Sequence, residues 1–323
     1  MLLLISAQVG ASAYYGREDV NNFIDKMVNE HNYDRGQLET LIKNVEKQES
    51  VLKAIQTPAE RKLKWFEYRR IFLKDKRIDG GVEFWNQNEE ILNKAETQYG
   101  VPPEIIVAII GVETYYGGNT GKNPVLDSLV TLGFDYPRRS KFFLSELEHF
   151  LLLTREEGFD PTQITGSYAG AMGLGQFISS SYRNYTVDQD QDGKRDLWGS
   201  KEDIIGSVAN YFKVHGWRES HAITSPAKFT GDPNTIDDSN TLKPKHTYSK
   251  FNKQGFVADM PIGQNEQVSL FVLDTENDKQ YWLGQHNFYV ITRYNHSHMY
   301  AMAVYQLSEE IKQRRESSTE VKQ

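Results

Sequence analysis

The sequence predicts an α+β fold that is mostly α-helical, with one small β unit late in the chain. Apolar residues recur at helical spacing across most of the 323 residues, including amphipathic stripes within residues 17–76 and 297–311. From about His221 the composition changes, and a polar stretch leads into two runs of strand character. These observations together favour helical domains accompanied by a single sheet.

The first 13 residues are predicted to be an export signal. Leu2-Leu3-Leu4-Ile5 opens a short apolar run, and Ala11-Ser12-Ala13 has the small-x-small form of a signal-peptidase site. A basic segment before the apolar run is missing, so an apolar N-terminal strand is the alternative. Cleavage gives a mature chain from near Tyr14. No later stretch approaches the length of a transmembrane helix.

Helix signals follow in order as far as residue 214. Thr57-Pro58-Ala59-Glu60 is typical of an N-cap followed by proline in the first turn and glutamate at the third position. Pro102-Pro103-Glu104 starts a helix that Gly117-Gly118 is expected to end. The other predicted helical segments are residues 84–99, 141–157 and 201–214.

The C-terminal third is predicted to contain strands and then a last helix. Residues 267–274 and 279–283 have strand character and are joined by a Glu-Asn-Asp turn. Helical spacing returns at residues 297–311. The polar tail from Lys312 is expected to be frayed.

Charge and composition exclude several functional classes. A net charge of −7 and an isoelectric point near 5.7 argue against general affinity for nucleic acid or anionic membrane. The chain has no cysteine, which excludes disulfides, thiolate zinc sites and cysteine nucleophiles. Without an N-terminal cysteine, the chain as written is not expected to be a lipoprotein.

Glu113 is the candidate proton donor. It ends a very apolar run in which Ile106, Ile109 and Ile110 share its helical face, so its carboxyl lies on a stripe that should face the core. Burial disfavours the charged form of a carboxyl and makes it a proton donor near neutral pH. The alternative is a solvated glutamate with no function, at the point where the chain leaves the core.

Residues 167–177, Ser-Tyr-Ala-Gly-Ala-Met-Gly-Leu-Gly-Gln-Phe, form a glycine-rich run. Its glycines allow backbone to approach another surface closely, and Ser167 and Gln176 place short polar groups beside them. Tight packing between helices is the alternative interpretation. A phosphate loop is excluded because no Gly-Lys-Ser/Thr ending is present.

Residues 188–196, Asp-Gln-Asp-Gln-Asp-Gly-Lys-Arg-Asp, match the first nine positions of an EF-hand calcium loop. Gly199 occupies position 12, where a bidentate glutamate belongs, so Glu202 or Asp203 is expected to close the site from a longer loop. A solvated acidic turn is the alternative. The predicted ligands of a structural Ca²⁺ ion are Asp188, Asp190, Asp192, Lys194 and Asp203.

Residues 288–300 combine aromatic rings with polar tips just before the last predicted helix. Rings beside amides suit carbohydrate, whose CH faces stack on rings while its hydroxyls need donors and acceptors. The edge of an aromatic core is the alternative. His296 and His298 are interpreted as surface histidines rather than metal ligands.

In this order, the segments resemble the lytic murein transglycosylase B family, the membrane-bound lytic transglycosylase B type. The resemblance runs from about Phe66 to Leu307. Several motifs at consistent spacing make a chance match improbable. The matching segments are Gly-Val-Glu-Thr-Tyr-Tyr-Gly at 111–117, Phe-Asp-Tyr-Pro-Arg-Arg at 134–139, the run at 167–177, Gly-Ser-Val-Ala-Asn-Tyr-Phe at 206–212 and Thr-Arg-Tyr-Asn-His-Ser at 292–297.

The resemblance implies a domain order and an activity. It implies a helical domain at 14–82, a goose-type-lysozyme-like core at 83–220 and 288–311, an inserted antiparallel β domain at 221–287 and a polar tail at 312–323. The implied enzyme is a lyase that cleaves the β-1,4 bond between N-acetylmuramic acid (MurNAc) and N-acetylglucosamine (GlcNAc). It works on peptidoglycan glycan strands in the periplasm, leaves 1,6-anhydro ends and needs no organic cofactor.

The resemblance also assigns roles to single residues. Glu113 matches the family's single catalytic acid/base. Polar groups around the reacting muramyl unit match Ser167, Gln176 and Asn295. Aromatic residues that line the groove match Tyr68, Tyr211, Tyr294 and Tyr300. A basic pair near the glycan or its peptide stem matches Arg138 and Arg139.

Two other functions stay open at this point. One is a hydrolytic muramidase on the same fold, in which water rather than the sugar's own hydroxyl completes the reaction. The other is a non-catalytic, calcium-dependent peptidoglycan-binding module.

Overall fold

The computed structural model describes residues 13–56, 63–232 and 241–320, with side chains as far as residue 318. These residues form fourteen α-helices and small antiparallel sheets, so the predicted, mostly helical α+β fold is confirmed. Nearly all of the predicted export signal, and the predicted helix start at Thr57, lie outside the described residues. Within them, no helix is both long and apolar enough to cross a membrane.

The elements are numbered in chain order. The helices are α1 Glu18–His31, α2 Arg35–Lys43, α3 Glu49–Gln56, α4 Trp65–Phe72, α5 Asp75–Gln87, α6 Glu89–Tyr99, α7 Pro103–Thr114, α8 Val125–Asp135, α9 Ser140–Glu157, α10 Ser179–Tyr185, α11 Lys201–Val214, α12 Tyr248–Lys253, α13 His286–Tyr294 and α14 His298–Glu320. The strands are β1 Asn123–Pro124, β2 Thr165–Gly166, β3 Thr224–Phe229, β4 His246–Thr247, β5 Phe256–Ala258, β6 Gln267–Asp274 and β7 Lys279–Gly284. A 3₁₀ turn spans Pro137–Arg139.

The chain divides into two compact units. The first contains the described parts of residues 1–58 and 120–184, and in it α8 packs against α9 and α3. Strands β1 and β2 pair antiparallel there, with Asn123 opposite Gly166. The second unit contains the described parts of residues 59–119 and 185–323, and in it α7 packs against α14 and α5.

The second unit also contains a five-stranded antiparallel sheet in the order β4-β6-β7-β3-β5. Strands β6 and β7 confirm the two predicted runs, and their register places Leu270 opposite Leu283. Strands β3, β4 and β5 were not predicted because they are short or, in β3, interrupted by Pro226. The buried core of the sheet consists of Tyr248, Phe251, Phe256, Val268, Leu270 and Leu283.

One predicted helix is divided in two for a local reason, and helix α13 was not predicted. Residues 84–99 do not form one helix. Helix α5 ends at Gln87, and Asn88 follows as its C-cap, with its side-chain amide donating to the Phe84 carbonyl at 2.7 Å. Helix α6 begins at Glu89. The segment before the last predicted helix is itself helical, as α13, which ends at Tyr294. By contrast, α9 and α11 match their predicted limits to within one residue.

The tail beyond Lys312 is not frayed as predicted, because α14 continues to Glu320. Its basic side chains pair with acids on α5, α6 and α7. These contacts stabilise the last turns of α14, which the polar composition of the tail would leave frayed. The Arg315 guanidinium also lies 4.8 Å from the centre of the Trp85 ring. The pairs are Lys312–Glu104, Arg314–Asp75, Arg314–Asp79 and Arg315–Glu89, at 2.6–2.9 Å.

Candidate active site

Glu113 lies in the last turn of α7, the most deeply buried helix of the second unit. Pro103 occupies the first helical position, where a missing N–H costs nothing. Residues 105–110 are at most 1% exposed, and the carboxyl-bearing residue Glu113 is half-buried. The apolar sequence therefore fixes this helix in the core and brings one carboxyl to its edge.

The end of α7 differs from the prediction. The helix stops at Thr114, ahead of Gly117-Gly118, because Tyr115 and Tyr116 adopt left-handed backbone angles with φ of 54° and 59°. Such angles are strained for tyrosine and persist only where the surroundings hold them. The Tyr116 phenol supplies such a constraint, since it donates to the Arg77 carbonyl at 2.9 Å.

The Tyr116 ring is packed against glycines of two helices. It stacks on Phe84 at 5.7 Å between ring centres. A Cβ atom on Gly111 would lie 2.5 Å from the Tyr116 hydroxyl oxygen, and one on Gly81 would lie 2.6 Å from it. Only glycine fits at these positions, and sequence analysis missed this arrangement. The adjacent pair Tyr115-Tyr116 directly before two glycines was its only signal.

Tyr300 forms the direct contact to the candidate acid. It lies in the first turn of α14, is 2% exposed, and donates from its hydroxyl to Glu113 Oε1 at 2.5 Å. Burial, and then the charge of Glu113, raise the pKa of Tyr300 well above its usual value. The same two causes raise the pKa of Tyr294. Both phenols therefore stay protonated at neutral pH, and Tyr300 is a permanent donor.

Tyr68 and Tyr211 complete a cluster of four tyrosines in this unit. Tyr68 is 2% exposed and contributes to the raised pKa of Tyr300. Tyr211 lies 4.8 Å from Tyr294 between ring centres, and its hydroxyl donates to the Arg293 carbonyl at 2.6 Å. The structure thus brings Glu113 together with all four predicted aromatic residues, which we call the tyrosine cluster.

Asn295 follows the tyrosine cluster at the end of α13. Its backbone is extended, with φ of −142°, and its carbonyl accepts from the Ser297 N–H at 2.7 Å. The side chain is half-buried. The short link between α13 and α14 therefore fixes Asn295 three residues before the start of α14 at His298.

Ser167 and Gln176 lie in the first unit, on a loop rather than between packed helices. The Ser167 hydroxyl oxygen accepts from the Ala171 N–H at 3.0 Å, and the Gln176 amide donates to the Thr120 carbonyl at 3.1 Å. A Cβ atom on Gly121 would lie 2.1 Å from the Gly166 carbonyl. The prediction of close backbone approach is therefore confirmed, and the helix-packing alternative is wrong.

Arg138 and Arg139 also lie in the first unit, in the 3₁₀ turn between α8 and α9. Both are exposed. The Arg139 guanidinium lies 4.1 Å from the centre of the Phe142 ring, which holds it against α9.

The loop at residues 188–200 brings three of the predicted calcium ligands together. Carboxylate oxygens of Asp188, Asp190 and Asp192 lie within 4.8 Å of one another. These are hard oxygen donors at alternate positions, and Gly193 makes the sharp turn with φ of 89°, so the residues fit a Ca²⁺ ion.

Asp203 has a different position from the one predicted. It is fully buried, and its two oxygens accept backbone N–H groups from Gln189 at 2.6 Å and Asp196 at 2.8 Å. Burial raises its pKa although these donors oppose the shift. Asp203 thus ties the two ends of the loop to the start of α11, and it is not part of the three-carboxylate group.

Comparison with known proteins places this geometry in a family. Residues 16–309 match the model of the family described as the Transglycosylase SLT domain. Membrane-bound lytic murein transglycosylase B of Escherichia coli (strain K12) is 45% identical over 304 residues, which are 91% of this chain and 82% of that protein.

Solved structures share the fold. Soluble lytic transglycosylase SltB1 of Pseudomonas aeruginosa is 46% identical with a TM-score of 0.87, over 92% of this chain and 99% of that chain. Escherichia coli lytic transglycosylase Slt35, solved in complex with calcium, is 45% identical with a TM-score of 0.87, over 94% and 96%. Pseudomonas aeruginosa SltB3, solved with NAG-anhNAM-pentapeptide, is 29% identical with a TM-score of 0.80, over 91% and 79%. The chain belongs to the Transglycosylase SLT domain family.

Proposed function

We propose that this protein is a lytic transglycosylase that cleaves the MurNAc-β-1,4-GlcNAc bond of peptidoglycan and leaves 1,6-anhydroMurNAc ends. The observation that carries the proposal is one half-buried carboxyl, Glu113, oriented by a buried phenol in an aromatic cluster. The relatives that are named lytic transglycosylases support it. Cell-wall remodelling or turnover is the corresponding biological role.

Glu113 acts twice in the proposed reaction. Protonated, it gives its proton to the oxygen that leaves with GlcNAc as the C1–O bond breaks. As a carboxylate, it then takes the proton from the C6 hydroxyl of the same MurNAc, whose oxygen bonds to C1. Because this nucleophile is tethered to the sugar, neither a second carboxylate nor a bound water is needed. The proton balance closes, and Glu113 is protonated again.

The remaining predicted residues would hold the substrate. Ser167, Gln176 and Asn295 offer hydroxyl and amide groups for the reacting muramyl unit. The tyrosine cluster offers rings for the sugar faces. Arg138 and Arg139 are exposed cations suited to carboxylates of the peptide stem.

A calcium ion is proposed as a structural component. Asp188, Asp190 and Asp192 would bind it with side-chain oxygens, and Lys194 with its carbonyl. Glu202 is the remaining candidate to close the site, because both oxygens of Asp203 already accept backbone N–H groups. The calcium complex of Slt35 supports this assignment. A bound ion would supply positive charge that offsets the three carboxylates of the loop, and no step of the proposed reaction requires it. A periplasmic location follows from the peptidoglycan substrate.

Mass spectrometry of muropeptides released from purified sacculi tests the proposed reaction. Anhydro ends are lighter than hydrolysed ends by one water, so exclusively hydrated ends would identify a hydrolytic muramidase instead. Glu113→Gln should lower the rate at least about a hundredfold, the usual contribution of a general acid or base. A variant with full effect on sacculi would point to the non-catalytic binding module.

A further inference from the structure

A cavity of about 510 Å³ lies in the second unit, beyond the tyrosine cluster. Helix α4, strand β7, the turn that precedes this strand, and helix α14 supply its lining. Trp65, Phe66 and Trp282 contribute aromatic surface, and three amide side chains and two arginines contribute most of the polar surface. Aromatic walls with amides are typical of sites that bind carbohydrate.

Arg69 supplies a cation to this cavity without an acidic partner. Its Nε donates to Gln306 Oε1 at 2.8 Å, and it takes part in no ion pair among the residues that the structure describes. The next residue, Arg70, instead pairs with Glu276 at the edge of the same cavity. The charge of Arg70 is thus neutralised locally, whereas that of Arg69 is available to a ligand.

Gln306 fixes the direction in which Arg69 can bind. A guanidinium carries five N–H donors in a rigid fork, and the amide of Gln306 uses the one on Nε. The remaining donors keep the geometry that binds a carboxylate with two parallel hydrogen bonds. A side chain held in this way loses less conformational freedom on binding than an unrestrained arginine.

The cavity is close to the proposed reaction site. Arg69 directly follows Tyr68, a member of the tyrosine cluster. Gln306 lies six residues beyond Tyr300 on α14, roughly 9 Å along the helix axis at 1.5 Å per residue. A polymeric substrate with its reacting sugar at Glu113 is therefore able to reach both places.

We propose that this cavity binds a carboxylate-bearing part of the peptidoglycan chain, with Arg69 as the residue that holds the carboxylate. The inference rests on the proposed function, because it concerns the same substrate. The carboxylate belongs either to the lactyl group of MurNAc or to the peptide stem. Arg69 acts in binding and selects acidic glycans over neutral ones.

Calorimetric titrations with three probes test this inference. The probes are NAG-anhNAM-pentapeptide, NAG-anhNAM without peptide, and neutral chitotetraose. Arg69→Gln should weaken binding of an acidic probe about tenfold and leave chitotetraose unchanged. The matched control Arg314→Gln removes a paired cation from the helix that carries Gln306 but outside the cavity, and it should change the affinity for any probe by less than about twofold. If Arg69→Gln binds the peptide-free probe more weakly, the carboxylate is the lactyl group. If it binds only the pentapeptide probe more weakly, the carboxylate belongs to the stem.

A second variant and a local readout guard against indirect effects. Gln306→Glu should place a carboxylate of the protein beside Arg69. It should therefore weaken binding of the acidic probes as Arg69→Gln does. In ¹⁵N-labelled protein, an acidic probe should shift the indole signals of Trp65 and Trp282 but not that of Trp198, which lies in the acidic loop. Each indole signal is assigned by replacing its tryptophan with phenylalanine.

Several outcomes would overturn the inference. These are equal losses of affinity in Arg69→Gln and Arg314→Gln, a parallel loss of chitotetraose binding, unshifted Trp65 and Trp282 signals, or no binding of acidic probes by the wild type. Muropeptide release separates the two proposals. If sacculi yield anhydro ends while Arg69→Gln leaves the affinity for every probe unchanged, only this inference fails. If Arg69 governs probe binding but no anhydro ends appear, only the proposed function fails.

Discussion

Tyr300 and Glu113 are joined by a 2.5 Å hydrogen bond between two helices, α14 and α7. The phenol is the donor, since burial and the neighbouring carboxyl raise its pKa well above the ordinary value. The bond gives the carboxyl one fixed orientation before substrate arrives. Such orientation is a direct contribution to rate when one group must serve as both acid and base.

Tyr300→Phe is expected to lower kcat by about ten- to a hundredfold, since one hydrogen bond to a charged group contributes about 1.5–3 kcal/mol. The melting temperature should change little because the ring keeps its packing. Rates of muropeptide release from sacculi provide the measurement. Tyr305→Phe, at a half-buried position five residues further along α14, is the matched control and should keep its activity. An unchanged kcat in Tyr300→Phe would contradict the orienting role.

Gly121→Ala is expected to damage the loop that holds Ser167. The new Cβ atom would lie 2.1 Å from the Gly166 carbonyl, and φ at Gly121 is 89°. Gly158 has a similar φ of 70° with no atom within 4 Å of its Cβ position, so Gly158→Ala should cost only about 1 kcal/mol. Urea unfolding compares the two variants. Equal losses would mean that backbone strain, and not the clash, dominates.

Calcium is expected to raise the melting temperature of the wild type relative to excess chelator. Saturation at a hundred times Kd corresponds to about 2.7 kcal/mol. Asp192→Asn should abolish the calcium response and keep the melting temperature in chelator, because Asp192 belongs to the three-carboxylate group. Asp203→Asn should destabilise the protein in both conditions, since Asp203 accepts backbone N–H groups inside the loop. Identical midpoints with calcium and chelator in the wild type would remove the metal assignment.

Acidification below neutral pH is expected to reduce stability through His298. This residue was interpreted as a surface histidine, but its ring stacks on Phe271 at 4.8 Å, and burial lowers its pKa. The unfolded chain binds a proton near pH 6.5 while the folded protein resists it, so stability falls as the pH drops through that value.

His298→Phe should keep the ring stack and flatten this pH dependence. The free energy of unfolding in urea, measured at pH 7.5 and at pH 5.5, gives the comparison. The exposed residue His221 is the control position, and His221→Phe should keep the wild-type slope. A slope that is unchanged in His298→Phe would assign the effect to other groups, such as His215, whose pKa is also lowered by burial.

Sequence reasoning succeeded where local chemistry determines the structure. The apolar run before Glu113 and the proline at its start predicted α7, because apolar residues at helical spacing after a proline are typical of a buried helix. Strands β6 and β7 were predicted from their β-branched and aromatic residues. Carboxylates at alternate positions located the acidic loop for a similar reason, since their spacing is part of the signal.

Sequence reasoning failed where distant residues decide. The length of α14 depends on acids that lie more than 200 residues earlier, such as Glu104 and Asp79. The end of α7 depends on the packing of Tyr116, and the buried position of Asp203 depends on backbone donors across the loop. Tyr300 was predicted as a groove residue from the resemblance, but its bond to Glu113 needed the packed helices to become visible.

The packing of the Tyr116 ring restricts which substitutions this protein tolerates. Gly81 and Gly111 lie on different helices, and each leaves room for the same phenol. A side chain at Gly111 overlaps the Tyr116 ring, so a smaller residue at 116 is expected to compensate for it. A side chain at Gly81 also overlaps Ile311, at 2.5 Å from Cδ1, so it requires a smaller residue at 311 as well. The packing next to Glu113 is therefore expected to change only through coordinated substitutions.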